Sequence, residues 1–238
     1  MVAIKYYFPS SGAAPVSPAF DAGWEVTSDA VRYPMPTTPG VTVLGLVTAV
    51  DNGNSAYQDL LAGQFVSDAI AAQTIPVQPV KIQMQAYEYT GTANLFLSFL
   101  IKVVSNDGTT VRGTLLPLTL DNTELNVGTQ QNRRFTATTS SVVAQANDRI
   151  VVEVGFSGDP GGTSVHGWRW RVGEDASSGN LPEDDTENGI TYRSWLELSG
   201  LAGGGGGPGK GGKPGGGTIR PGRSGRWRSN RQGPGSLD

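Results

Sequence analysis

The sequence has no cysteine, a single histidine and no long apolar segment, and each absence narrows what the protein can be. Without cysteine there is neither a disulfide framework nor a thiolate metal site. No apolar run reaches the roughly 20 residues of a membrane-spanning helix, so no membrane partner is expected. The first residues lack the basic and apolar regions of a secretory signal, and we therefore expect synthesis in a cytoplasm.

The lone histidine, His166, gives little basis for nucleophilic catalysis. A Ser–His–Asp arrangement needs partners whose approach strand periodicity cannot establish. A histidine close to two tryptophans is more often a packed, hydrogen-bonded residue. We expect no catalytic residue and no cofactor, so the protein is predicted not to be an enzyme.

Charge is divided sharply along the chain. Residues 1–199 hold 11 Lys and Arg against 20 Asp and Glu, a net charge of −9. Residues 200–238 hold 7 basic residues and one acidic residue, a net charge of +6. A basic segment attached to an acidic body indicates that this segment has an acidic partner of its own.

Two segments near residue 160 carry the clearest strand signal. In residues 149–156 every second side chain is apolar, a set that comprises Ile150, Val152, Val154 and Phe156. A period of two is typical of a strand with one buried face. Residues 165–172 repeat the pattern, and the turn-forming residues 157–163 separate the two segments.

The rest of the body also favours strands joined by turns. Strands are predicted at 41–47, 80–89, 95–104, 111–120, 135–144 and 192–198. Residues 57–72 fit either a helix or a strand, and the surrounding strands favour a strand. Residues 105–108, Ser-Asn-Asp-Gly, predict a hairpin turn. About eight strands and no long helix predict an all-β fold, an antiparallel β-sandwich that is jelly-roll-like or another Greek key.

Composition divides the chain into three parts. Residues 1–40 contain six prolines and are expected to form an extended arm that packs on the sandwich, anchored by Trp24 and Tyr33. Residues 41–199 form the sandwich domain. Residues 200–238 form a non-globular Gly-rich tail, because this composition cannot bury a core.

The tail concentrates basic residues around one tryptophan. Its candidate interaction residues are Lys210, Lys213, Arg220, Arg223, Arg226, Trp227, Arg228 and Arg231. Cations and an aromatic ring are typical of RNA contact. The alternatives are docking on an acidic protein surface, which we favour over nucleic acid, and a free tail.

An acidic segment follows the strand predicted within residues 165–172. Hard oxygen ligands in a loop can bind calcium, and the candidate ligands are Asp175, Glu183, Asp184 and Asp185. Their spacing does not match an EF-hand loop, so a solvated loop is favoured and no metal is assigned.

Trp168 and Trp170 admit two interpretations. Flanked by arginines, they could form a platform that stacks on a host surface glycan. They also share a strand face with Val172, which favours burial in the core.

Several short blocks along the body carry a family resemblance. They are residues 6–11, 20–25, 65–67 with 71–75, 104–108, 147–155, 171–173 with 181–186, and 195–198. In these blocks the chain resembles small β-rich structural proteins of tailed bacteriophages. The resemblance covers most of residues 1–199, excludes the tail and implies a virion or phage-encoded structural protein.

The resemblance and the charge division together define the functional expectation. We expect a structural virion component, a capsid decoration or cement protein or a tail-associated accessory protein that docks through its extended termini. Its partners are then an acidic capsid or tail surface and copies of itself. The alternative is a carbohydrate- or receptor-binding module of a tail or head fibre, built on the loops at 158–164 and 174–188.

Overall fold

A computed structural model describes residues 2–40, 45–50, 57–88, 94–159, 167–173, 179–185 and 192–201. Within these ranges the regular elements are thirteen β-strands, and no helix occurs. The first seven are β1 Val2–Tyr7, β2 Val31–Met35, β3 Gly45–Val50, β4 Gln58–Ser67, β5 Gln73–Ile75, β6 Pro79–Glu88 and β7 Asn94–Val104. The other six are β8 Val111–Glu124, β9 Gln131–Thr138, β10 Val142–Ala144, β11 Arg149–Asp159, β12 Gly167–Val172 and β13 Trp195–Leu201. The all-β prediction is confirmed.

The strands form two main sheets. Sheet A has the order β1-β13-β6-β12-β3, with β9 also paired to β6, and sheet B has the order β2-β4-β11-β7-β8. A short ribbon joins β10 to β5. The strand pairs are antiparallel except for β2 and β4, which run parallel. The chain divides into two compact units, Met1–Gly204 and Gly205–Asp238, and all the described ranges lie in the first.

The core lies between the inner faces of the two sheets. Phe65 of sheet B meets Trp170 of sheet A edge-on, with 5.4 Å between ring centroids. Phe156 and Trp168 also pack together across the two sheets, in a tilted arrangement with 4.3 Å between ring centroids. The sandwich prediction is therefore confirmed, because one continuous apolar cluster draws residues from both sheets.

Strand β11 is the centre of sheet B, with β4 on one side and β7 on the other. Its predicted inner face is confirmed, since Ile150, Val152, Val154 and Phe156 are fully buried. Burying each such side chain stabilises the fold by about 1.5–3 kcal/mol. The prediction of a single buried face is wrong, however, because Val151 and Glu153 are buried as well.

The same difference occurs on β6 in sheet A. Ile82 and Met84 lie in the core, yet Gln83 and Gln85 on the opposite face are 0% and 1% exposed. Alternation shows which side chains share a face, but it cannot show that a distant segment covers the second face.

Strand boundaries differ from the predictions at several points. Residues 57–72 do contain a strand, β4, which ends at Ser67. The segment 135–144 is two strands, β9 and β10, because residues 139–141 leave the sheet. Of the predicted strand at 41–47, residues 45–47 belong to β3, while residues 41–44 lie outside the described residues.

The predicted hairpin joins β7 to β8. The amide of Ser105 donates to the carbonyl of Thr110 at 2.8 Å, and the amide of Gly108 donates to the carbonyl of Ser105 at 2.8 Å. Gly108 has φ +77°, a conformation that favours glycine. Hydrogen bonds from Ser105 and Thr109 lower the pKa of the Asp107 carboxyl to about 2.

Residues 1–40 are more regular than an extended arm. Strand β1 pairs with β13 at one edge of sheet A, and β2 pairs with β4 at one edge of sheet B. Residues 8–30, called the arm below, connect these two strands across the outer face of sheet B. Prolines keep most of this segment out of the sheets, since proline cannot donate to a strand ladder.

Candidate functional sites

A buried ion pair lies at the centre of the outer face of sheet B. The ammonium group of Lys102 on β7 is 2.8 Å from Oε1 of Glu153 on β11, and the two side chains are 2% and 0% exposed. Gln64 on β4 donates from Nε2 to the same oxygen at 2.8 Å. A buried ion pair is tolerated only where further hydrogen bonds satisfy both charges.

The arm supplies those further hydrogen bonds. The Nε1 atom of Trp24 donates to Oε2 of Glu153 at 2.8 Å, and the amide of Asp21 donates to the same oxygen at 3.1 Å. The carbonyl of Ala19 accepts from the Lys102 ammonium group at 3.0 Å. The ion pair therefore fixes the arm to one position on the sheet.

Apolar contacts extend this attachment on both sides of the ion pair. Trp24 packs with Leu61 and Leu100, and Val16 packs on a second apolar group that comprises Val66, Val104 and Val151. Gly155 makes room for the indole, because a Cβ atom there would lie 2.5 Å from the Trp24 ring. The register of β11 against β4 shifts at this glycine.

Arg32 fastens the arm to β2. Its Nε atom donates to Oε1 of Gln64 at 2.6 Å, and its Nη2 atom donates to the carbonyl of Pro18 at 3.0 Å. Its guanidinium carbon lies 4.6 Å from the centre of the Phe20 ring, a favourable cation–π distance. Sequence reasoning identified Trp24 as an anchor but missed its partners, although the charged Lys102 and Glu153 in otherwise apolar strands were a usable signal.

The acidic segment packs on the outer face of sheet A. Residues 179–185, called the acidic loop below, are held by Leu181, whose carbonyl accepts from Nε1 of Trp195 at 2.8 Å. Glu183 accepts from Lys81 at 2.8 Å, and Asp185 accepts from the amide of Arg134 at 2.7 Å. The loop is thereby tied to β6, β9 and β13.

Asp184 lies between these contacts and accepts hydrogen bonds from two buried amide side chains of sheet A. Its carbonyl accepts from Gln83 at 2.7 Å, and its carboxylate accepts from Asn132 at 2.9 Å. Three of the four predicted calcium ligands therefore receive hydrogen bonds from the sheet, and Asp175 lies outside the described residues. No group of three or more metal-ligating acids or histidines occurs in the described ranges, and the calcium site stays a prediction.

Trp168 and Trp170 are both fully buried. Of the two interpretations that the sequence left open, burial agrees with the core, because a sugar ring cannot reach the face of either indole in this structure. Arg169 and Arg171 lie on the opposite face of β12 and are half-buried. Burial lowers the pKa of the Arg171 guanidinium.

The remaining predicted site residues lie outside the part of the chain that the structure describes. They are His166 and the tail residues Lys210, Lys213, Arg220, Arg223, Arg226, Trp227, Arg228 and Arg231. Their roles stay predictions. In the described ranges, no helix is long and apolar enough to cross a membrane.

No protein-family model and no curated protein matches the chain. Among solved structures, the Gt strain of infectious bursal disease virus is similar at 16% identity and a TM-score of 0.32, over 69% of this chain and 37% of that one. The VP2 subviral particle of the same virus is similar at 16% identity and a TM-score of 0.24, over 68% and 38%.

A third similar structure comes from outside virology. The Eiger TNF protein of S. frugiperda is 11% identical with a TM-score of 0.26, over 76% of this chain and 98% of that one. The chain spans less than two fifths of the length of these two bursal disease virus proteins. Because their TM-scores are low, none of these similarities carries an argument about function.

Proposed function

We propose that the protein is a structural component of a bacteriophage virion. The observation that carries this proposal is that ionisable side chains on both outer faces of the sandwich bind other segments of the same chain. Lys102 and Glu153 hold the arm, and Glu183 and Asp185 hold the acidic loop. Charged groups committed to holding chain segments in place suit a rigid building block.

The finer proposal is a capsid decoration, cement or tail-associated protein that docks through its extended termini. The acidic body and the basic tail support it, since a tail of charge +6 is attracted to an acidic particle surface while an acidic body is repelled. The resemblance of most of residues 1–199 to β-rich phage proteins supports a phage-encoded structural role. Several copies on a symmetric shell are expected.

Two alternatives remain as proposals. A receptor-binding module would use the loops at 158–164 and 174–188, most of which lie outside the described residues. Contact between the tail and nucleic acid would give an affinity that falls steeply with salt concentration. No contact in the described structure favours either one.

The direct test is mass spectrometry of particles purified from the phage that encodes the chain. We expect the protein in many copies per particle. Particles from a phage lacking the gene should rebind the purified full-length chain but not a variant that lacks residues 203–238. A control variant keeps the full length of the tail but has Arg220, Arg223, Arg226, Arg228 and Arg231 replaced by serine. If this variant fails to rebind, the charge of the tail is needed and its length alone is not enough.

Absence of the protein from purified particles overturns the virion proposal. Rebinding of the truncated and full-length chains with equal affinity overturns tail docking alone. The truncated chain should keep its β-sheet circular dichroism, because all the described strands end by Leu201.

A further inference from the structure

An amine, an amide and a carboxylate meet beneath the arm. Lys102 on β7 and Gln64 on β4 lie on either side of β11, which carries Glu153. The three residues are 2%, 0% and 0% exposed. The ammonium nitrogen of Lys102 and Nε2 of Gln64 each lie 2.8 Å from the same atom, Oε1 of Glu153. A nucleophile, an amide and a proton acceptor are therefore brought together in a site that is closed to water.

The amine and the amide share a second contact, on the arm. The carbonyl of Ala19 accepts from the Lys102 ammonium group at 3.0 Å and lies 3.5 Å from Nε2 of Gln64. Because the two nitrogens are each 2.8 Å from Oε1 of Glu153, they are at most twice that distance apart. Attack on a carbonyl begins when the reacting atoms are about 3–3.5 Å apart, and the flexible stem of the lysine supplies the remaining approach.

The carbonyl of the Gln64 side chain is polarised by a fixed cation. Nε of Arg32 donates to Oε1 of Gln64 at 2.6 Å, and contacts with Pro18 and Phe20 hold the guanidinium group in place. A preorganised donor at a carbonyl oxygen stabilises the negative charge that develops there when a nucleophile adds. By contrast, Oε1 of Gln83, a buried amide of sheet A, has no donor among the described residues.

The arm also orients the carboxylate. Nε1 of Trp24 and the amide of Asp21 both donate to Oε2 of Glu153, at 2.8 Å and 3.1 Å. These two bonds leave Oε1 facing the lysine and the glutamine. A positioned carboxylate within hydrogen-bond distance of both nitrogens meets the geometric requirement for a group that moves protons between them.

We propose that Lys102 and Gln64 join in an isopeptide bond between Nζ and Cδ. Glu153 takes a proton from the Lys102 ammonium group, and the neutral amine adds to Cδ while Arg32 stabilises the charge on the carbonyl oxygen. The bond from Cδ to Nε2 then breaks. The lysine nitrogen gives up two protons in all, and Glu153 passes both to the departing nitrogen. Ammonium leaves, Glu153 ends as a carboxylate, and no other reactant is consumed.

The bond links β4 to β7 across the central strand of sheet B. A covalent link between distant residues stabilises a fold mainly by restricting the unfolded chain, and this chain has no cysteine for a disulfide. The new amide N–H replaces the ammonium group as a donor to Glu153. The proposal does not rest on the virion assignment.

The test is trypsin digestion and mass spectrometry of the denatured full-length chain. Trypsin cuts after lysine and arginine, so an unlinked chain releases residues 33–81, which contain Gln64, and residues 82–102, which end at Lys102. An acylated lysine is not cut. We therefore expect one species in which residues 33–81 are joined to residues 82–112, lighter than the two peptides together by one ammonia.

Variants assign the role of each group. Lys102→Met and Glu153→Gln should each abolish the linked species. Arg32→Met, at a half-buried residue, should slow its formation about a hundredfold, the effect of removing one donor from a developing oxyanion. The linked fraction in samples taken at intervals after expression measures this rate. Glu197→Gln is the matched control, because Glu197 is paired with Lys5 on sheet A and its loss should leave the linked species unchanged.

Release of residues 82–102 without a linked species overturns the proposal, and this result needs no variant to fold. A succinimide at an Asn-Gly pair such as Asn52-Gly53 also loses ammonia, but it does not join two peptides. Formation at an unchanged rate in both Arg32→Met and a folded Glu153→Gln would overturn the mechanism. Circular dichroism of each variant separates loss of the bond from loss of the fold.

Discussion

The outer faces of the two sheets are covered by different means. On sheet B the arm is held by a lysine–glutamate pair whose side chains are 2% and 0% exposed. On sheet A the acidic loop is held by Lys81 and Glu183, which are 38% and 42% exposed. Both faces also use a tryptophan, since Trp24 donates to the Glu153 carboxylate and Trp195 donates to the Leu181 carbonyl.

This difference in the exposure of the two ion pairs indicates which of the two covering segments the fold depends on more. A buried charge that loses its partner is strongly destabilising, whereas an exposed pair contributes little because water and salt screen it. The arm should therefore be integral to sheet B. The acidic loop should be held mainly by the burial of Leu181 and by its hydrogen bonds to buried side chains.

The largest expected effect comes from Glu153→Ala, which leaves the Lys102 ammonium group buried without its partner. We expect a loss of about 3–5 kcal/mol in the free energy of unfolding, measured by urea denaturation. Glu197→Ala is the matched control on sheet A, where Glu197 lies 3.8 Å from Lys5 and is partly exposed. Equal losses for the two variants would contradict a special role for the buried pair.

A smaller effect is expected when each tryptophan loses its indole N–H. Trp24→Phe removes a hydrogen bond to a buried charge and should cost about 1.5–3 kcal/mol. Trp195→Phe removes a bond to a neutral carbonyl and should cost about 0.5–1.5 kcal/mol. Urea denaturation of both variants measures the difference, and a larger loss for Trp195→Phe would reverse the comparison.

The smallest effect is expected at the exposed pair of sheet A. The hydrogen bond from Lys81 to Glu183, followed by their charge attraction, raises the pKa of Lys81 above its usual 10.5. A raised lysine pKa stabilises the fold below the unfolded pKa, and this contribution disappears as the pH rises through the folded value.

Lys81→Met should accordingly leave the urea midpoint almost unchanged at pH 7, and any small difference from the natural chain should vanish at pH 12. A clear loss of stability at pH 7 that persists at high pH would mean that Lys81 acts through packing.

The local sequence pattern predicted which side chains face the core and where the chain turns. Alternation in 149–156 identified the core side of β11, and Ser-Asn-Asp-Gly at 105–108 identified the β7–β8 hairpin, because both signals lie within a few residues. The segments that cover the outer faces were not predictable in this way. Glu153 meets Trp24, which is 129 positions away in the sequence, and no local period reports such a contact.

The candidate sites differ in the same way, since some could be predicted from the local sequence and others could not. The position of Trp168 and Trp170 in the core followed from their shared face with Val172. The contacts of Glu183 and Asp185 with sheet A could not be predicted, since a run of acidic residues has the same composition whether it binds calcium or the sheet.

The sequence by itself determined that the body is a two-layer β protein and which side of its central strand is apolar. These properties depend on the period of two and on turn chemistry, which act over short distances. Only the tertiary structure decided what covers each outer face, because coverage depends on segments brought together across the whole chain. For the same reason, only the tertiary structure shows that Lys102 and Glu153 form the buried attachment point of the arm.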